Sequence, residues 1–75
     1  MKIKTPYNAG ELRTPAGFNT PVMICGHIWW PVEQRNAYHV IHVDKFGEPV
    51  GEPIYEWDNT DGQWPVFTPK ERIAA

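Results

Sequence analysis

The sequence predicts an all-β protein: a small, strongly bent antiparallel sheet of about five strands that closes on itself, followed by a short C-terminal helical turn. Three observations predict it. The run Val22 to Trp30 is rich in β-branched and aromatic residues, lies between Pro21 and Pro31 and has Gly26 at its centre, which disfavours a helix. Residues 37–64 read as strand, tight turn, strand, tight turn, strand, with turn chemistry at Asp44-Lys45-Phe46-Gly47 and at Asp58-Asn59-Thr60-Asp61-Gly62. With 75 residues the chain cannot divide its apolar side chains between two cores, so residues 1–75 are one small β-barrel domain in which 1–9 form an N-terminal arm.

The elements follow in order. The arm carries Lys2-Ile3-Lys4 and then Pro6, and its Tyr7 needs a place to pack. Gly10-Glu11-Leu12-Arg13 is a short extended segment, and Thr14-Pro15-Ala16-Gly17 has the proline and glycine placement of a type I turn. Val22-Met23-Ile24-Cys25-Gly26-His27-Ile28-Trp29-Trp30 is apolar on both parities, which fits a strand buried on both faces or one that bends at Gly26. After a polar connection, the strand formers Tyr38, Val40, Ile41 and Val43 mark the next strand. The third strand of this set runs from Glu48 to Trp57, where Pro49 and Pro53 confine it to an edge and Gly51 marks a bend. Gln63-Trp64-Pro65-Val66-Phe67 returns, and Thr68-Pro69-Lys70-Glu71 has the N-cap, first-turn proline and N3 glutamate of a helix start.

Composition narrows the functional classes. The one cysteine, Cys25, forbids an internal disulfide, and no long apolar run suggests a membrane span, so a soluble cytoplasmic protein is expected. The net charge of -2 gives no general attraction to nucleic acid. Its distribution is uneven, because Asp44, Glu48, Glu52, Glu56, Asp58 and Asp61 face only Lys45 within residues 44–61. That stretch reads either as solvated strand and turn residues that protect an edge or as an acidic docking hairpin.

The chain contains no serine, no Gly-rich phosphate loop and no His-Glu-x-x-His, which removes serine hydrolases, P-loop enzymes and zincins. Cys25 and His27 have no third group to complete a nucleophilic site, so no enzyme and no cofactor are expected. Period-two alternation puts Cys25 with His27 on one strand face and His42 with Asp44 on another, a combination that is not a recurrent zinc spacing, and no metal site is assigned.

The order of elements resembles the small SH3-like barrels. The resemblance is carried by the Gly10-Glu11-Leu12-Arg13 opening, the loop with Gly17, the strand ending in Trp29-Trp30, the Tyr38-His39-Val40 strand and the closing Glu71-Arg72-Ile73. A similar order occurs in the plasmid-borne type II dihydrofolate reductases, which are tetramers of such barrels. Their Val-Gln-Ile-Tyr pore motif has no counterpart here, so the resemblance implies a fold and a phage or mobile-element setting and does not imply that activity; a homo-oligomer is an expectation that comes instead from the thin core of so short a chain. Residues 55–65 also resemble the second half of a WW domain, which implies an aromatic groove.

Tryptophan is the residue type that function has to absorb. Trp29, Trp30, Trp57 and Trp64 cannot all be hidden in so thin a barrel, and the neighbours Trp29 and Trp30 must point to opposite faces of a strand. The expected function is a non-enzymatic protein-interaction module that docks on a partner protein, or on itself, through Trp29, Trp30, Tyr55, Trp57 and Trp64 with the acids Glu52, Glu56 and Asp58. An accessory or inhibitor protein that occupies a basic groove of a host factor fits this set. The alternative is a small barrel binding single-stranded nucleic acid, with tryptophan stacked on bases and Lys2, Lys4, Arg13 and Arg35 on phosphates.

Overall fold

A computed structural model describes residues 5–58 and 62–73 of the chain. Among the described residues there is no helix, and four strands form one antiparallel sheet in the order β1-β2-β3-β4. These are β1 (Leu12–Arg13), β2 (Val22–Trp30), β3 (Arg35–His42) and β4 (Ile54–Trp57). The sheet is strongly curled. No helix of the described residues is long and apolar enough to cross a membrane.

The β2–β3 hairpin is the backbone of the molecule. Its strands pair from Val22↔His42 to Trp30↔Arg35, and residues 31–34 close the turn with Gln34 in the left-handed region at φ 53°. Between Ile24 and Gly26 the register shifts: Ile24 faces Val40, Gly26 faces His39, and Cys25 is left as the extra residue of a β-bulge. The bend expected at Gly26 is this bulge. It exchanges the two parities of β2, so that Val22 and Ile24 share one face with His27 and Trp29, while Met23 shares the other with Gly26, Ile28 and Trp30.

The first face, here the inner one, holds the core. Tyr7, Val22, Ile24, Tyr38, Val40 and Trp64 are buried together, with Phe18 packed against them. Tyr7 is the side chain that seals it. Its ring stacks on Tyr38 at 5.0 Å and meets Trp64 at 5.4 Å, its hydroxyl accepts the Trp64 N–H at 2.7 Å, and its own N–H donates to the Tyr38 hydroxyl at 3.2 Å. Arg13 lies 4.4 Å above the Tyr7 ring, donates to the Trp64 carbonyl at 2.9 Å and pairs with Glu11 at 2.6 Å. That pairing holds the Glu11 carboxyl below its ordinary value, helped by the Asn8 N–H.

Several expected elements are shorter or different. The third expected strand is regular only as β4, which pairs with β3 from Ala37↔Trp57 to Val40↔Ile54. Ahead of it residues 48–53 make one bridge, Val43↔Pro49, because the donors flank the proline: Val50 N–H reaches the His42 carbonyl at 2.8 Å, and Asp44 N–H reaches that of Glu48 at 2.9 Å. The expected fifth strand is reduced to the bridge Arg13↔Val66 on the outer edge of β1, flanked by Thr14 N–H to Pro65 O and Phe67 N–H to Leu12 O, each at 2.9 Å. Pro65 has no N–H to extend that ladder. The expected turn at residues 14–17 lies one residue later, with Phe18 N–H on the Pro15 carbonyl at 3.1 Å and Gly17 at φ 86°. The loop of residues 59–61 lies outside the described residues.

The C-terminal helical turn is absent, although its capping signature is present in full. Residues 68–73 run without regular structure, and Lys70 N–H donates to the Lys45 carbonyl at 2.8 Å. A single helical turn fixes several residues for few hydrogen bonds, whereas the extended path gains a tertiary one together with the Arg72–Glu48 pair at 2.8 Å and the Arg72 guanidinium 4.3 Å over Phe46.

This strap lies against the turn at residues 44–47. Asp44 builds that turn, accepting from Phe46 N–H at 2.9 Å and Glu48 N–H at 3.1 Å through Oδ1 and from Gly47 N–H at 2.9 Å through its carbonyl. The Glu48 N–H is the largest influence holding the Asp44 carboxyl below its ordinary value. A side chain at Gly47 would sit 3.2 Å from Pro69 and 3.3 Å from Leu12. The turn and strap therefore cover the outer face beside β1, at the Val22–His42 end of the hairpin. Nothing comparable covers the other end among the described residues.

Candidate partner-binding site

Pairing and pleat decide which side chains occupy the bare end of the outer face. Trp30↔Arg35, Ile28↔Ala37, Ala37↔Trp57 and His39↔Tyr55 are cross-strand partners, so Trp30, Ile28, Arg35, Ala37, His39, Trp57 and Tyr55 project from one surface of three adjacent strands. Without the bulge at Cys25, Trp29 would stand where Trp30 does.

The surface is aromatic and shaped. Ile28, Trp30, Ala37, Tyr55, Glu56 and Trp57 line a groove of about 330 Å³. Trp30 and Trp57 meet at 5.6 Å with their planes tilted by 53°, and His39 stacks on Tyr55 at 4.8 Å. Ile28 remains 49% exposed, Trp30 44%, Trp57 39% and Tyr55 64%, which makes a contiguous apolar patch rather than scattered residues. The Arg35 guanidinium lies 5.9 Å from the Trp57 ring. Glu56 on β4 also lines the groove, and Glu52 precedes it in the chain with no base between the two.

The structure brings Trp30, Tyr55 and Trp57 together, with Glu56 at the edge of their groove. It separates the others. Trp29 is exposed on the inner face, opposite Asn36, and no aromatic of the N-terminal arm reaches it or Trp30, since Tyr7 is engaged with Tyr38 and Trp64. Trp64 is 1% exposed and belongs to the core, and Asp58 is buried with its N–H on the Asn36 carbonyl at 3.0 Å. Neither is available to a partner in this arrangement. Glu48 is engaged with Arg72, and Asp44 with its own turn. Thus the acidic stretch divides into a structural part, Asp44 and Glu48, and a later part, Glu52 and Glu56, of which Glu56 lines the groove.

Ile28, Ala37, His39 and Arg35 belong to the surface and were missed in the sequence. Their membership depends on the parity after the bulge, which the apolar residues on both sides of Gly26 conceal.

The residues weighed as metal ligands are dispersed. Cys25 is exposed on the bulge with Sγ 3.8 Å from the Met23 carbonyl, His27 lies against Tyr38 at 6.3 Å, and His42 stacks on Phe18 and reaches Thr20 at 3.2 Å. Among the described residues no three His, Cys, Asp or Glu side chains form a group that could hold a metal.

Compared with protein-family models, curated proteins and solved structures, the chain matches none, so the function of this face has to be read from its own geometry.

Proposed function

We propose that the protein is a non-enzymatic interaction module of the small SH3-like barrel kind, whose working surface is the uncovered outer face of β2, β3 and β4. The single observation that carries the reading is the apolar groove between Trp30, Trp57, Tyr55 and Ile28, left open while the other end of the same face is closed by the strap. A half-exposed tryptophan pair in contact, with a polar rim, has the composition of a binding hot spot. The partner is a protein segment that offers an apolar side chain to the groove and a positive charge to Glu52 and Glu56. An accessory or inhibitor protein of the phage or plasmid type, occupying a basic groove of a host factor, works through the same contacts.

Peptide-display selection against the intact chain tests this. Enriched sequences should combine apolar with basic residues, and Trp57→Ala or Trp30→Ala should abolish their capture while circular dichroism stays unchanged. A short single-stranded oligonucleotide is the necessary second probe, because Trp30, Trp57, Tyr55 and His39 on one sheet surface beside Arg35 also suit base stacking. Oligonucleotide binding that is lost in Trp57→Ala, with no peptide enriched, would replace the protein-partner reading by the nucleic-acid one.

A further inference from the structure

The groove does not stand alone: it borders a strand edge that has no partner among the described residues. β4 is the last strand of the sheet, and among the described residues no backbone hydrogen bond reaches residues 54–57 except those from β3. An unpaired edge presents N–H and C=O groups at a fixed spacing, and an extended chain can add to it as a further strand. Pro53 has no N–H, so the usable edge is the four residues of β4 itself.

We infer that the partner binds by strand addition to β4, as an extended segment alternating apolar and basic residues. The inference rests on the interaction-module reading above and names the chemistry of its ligand. A strand laid beside β4 must alternate as β4 does. Its residues on the outer side lie beside Tyr55 and Trp57, over the groove, which calls for apolar side chains. Those on the inner side lie beside Ile54 and Glu56, since Val40↔Ile54 and Tyr38↔Glu56 are the inner-face pairs. From Glu52 to Trp57 the chain has two acids and no base, so lysine or arginine is the complement on that side. An acidic peptide with the same apolar residues meets like charge at Glu56 and, just before the strand, at Glu52.

The test uses the intact chain and synthetic eight-residue peptides of alternating valine and lysine, followed by tryptophan fluorescence. The valine–lysine peptide should bind, and the valine–glutamate counterpart should bind at least about tenfold more weakly, equivalent to about 1.4 kcal/mol. Backbone N-methylation separates edge from groove. In a strand, alternate amides face the ladder and the rest face away, so methylating one alternate set should weaken binding about tenfold or more and methylating the other should leave it nearly unchanged. Glu56→Lys should reverse the preference between the two peptides.

If both methylated sets bind like the parent while Trp57→Ala abolishes binding, the groove works without the edge and strand addition is wrong. If Trp30→Ala and Trp57→Ala both bind like the parent chain, the module reading fails at its groove. Two further results overturn the inference: no binding of either peptide at millimolar concentration, and a dimer in sedimentation that dissociates on Tyr55→Pro, which would mean that a second copy already occupies β4.

Discussion

At the scale of single residues, position rather than type decides what a tryptophan does here. Trp64 is enclosed by Tyr7 and Tyr38, whereas Trp30 and Trp57 lean on each other at the surface. Trp64→Ala should therefore cost about 3–5 kcal/mol in urea unfolding, enough to unfold so small a core, and Trp30→Ala about 1 kcal/mol or less. The buried Tyr38 hydroxyl gives a second expectation. Burial pushes its pKa up from 10.0 to about 12, against the Tyr7 N–H, which favours the ionised form. An acid whose folded pKa is raised stabilises the fold fully below the unfolded value and loses that contribution as pH rises. The Tyr38 share of stability should disappear between pH 10 and about 12. Tyr38→Phe should flatten the alkaline loss in a pH series of denaturation curves, while lowering neutral stability by about 1 kcal/mol for the lost acceptor of Tyr7.

At the scale of elements, β2, β3 and β4 were legible in the sequence because their β-branched and aromatic residues, prolines and turn residues agree with one another. The exceptions have physical causes. The helix start at Thr68 is a local signal, and it loses to the tertiary bond from Lys70 to Lys45 and to the docking of Arg72 on Phe46. The burial of Trp64 is fixed by Tyr7, far away in the chain, so no local periodicity could announce it. The bulge was half legible: Gly26 marked the bend, but the apolar residues on both parities of β2 hid which residue was extra. Gly47 tests the turn and strap together. With φ 82° and Pro69 only 3.2 Å from an added Cβ, Gly47→Ala should lose about 1 kcal/mol or more in thermal unfolding, more than Gly62→Ala, where no atom lies within 4 Å. Deleting Cys25 tests the bulge. It should restore uninterrupted alternation while keeping Ile24↔Val40 and Gly26↔His39 as partners, so that Trp30 stays on the outer face and binding that needs the Trp30–Trp57 pair survives; loss of that binding in a folded deletion variant would contradict the parity assignment.

At the scale of the whole molecule, the sheet is held from both sides at one end and from neither at the other. Around Val22 and His42 it lies between the Tyr7–Trp64 core and the strap with Pro69, so the strands there can separate only if both layers leave. Around Trp30 and Arg35 the strands are held by their own ladder, a left-handed Gln34 in the turn and the rings of Trp30 and Trp57. Amide hydrogen exchange should follow that division, with the slowest amides at Val22, Ile24 and Val40 and exchange faster by orders of magnitude toward Trp29, Trp30 and Arg35. A uniform pattern would mean that the two ends open as one unit. The recognition face thus sits on the part of the sheet that can fray without unfolding the rest. A ligand laid across it acts as a splint: it quiets the tip of the hairpin, and its residence time is set by how often that tip springs open.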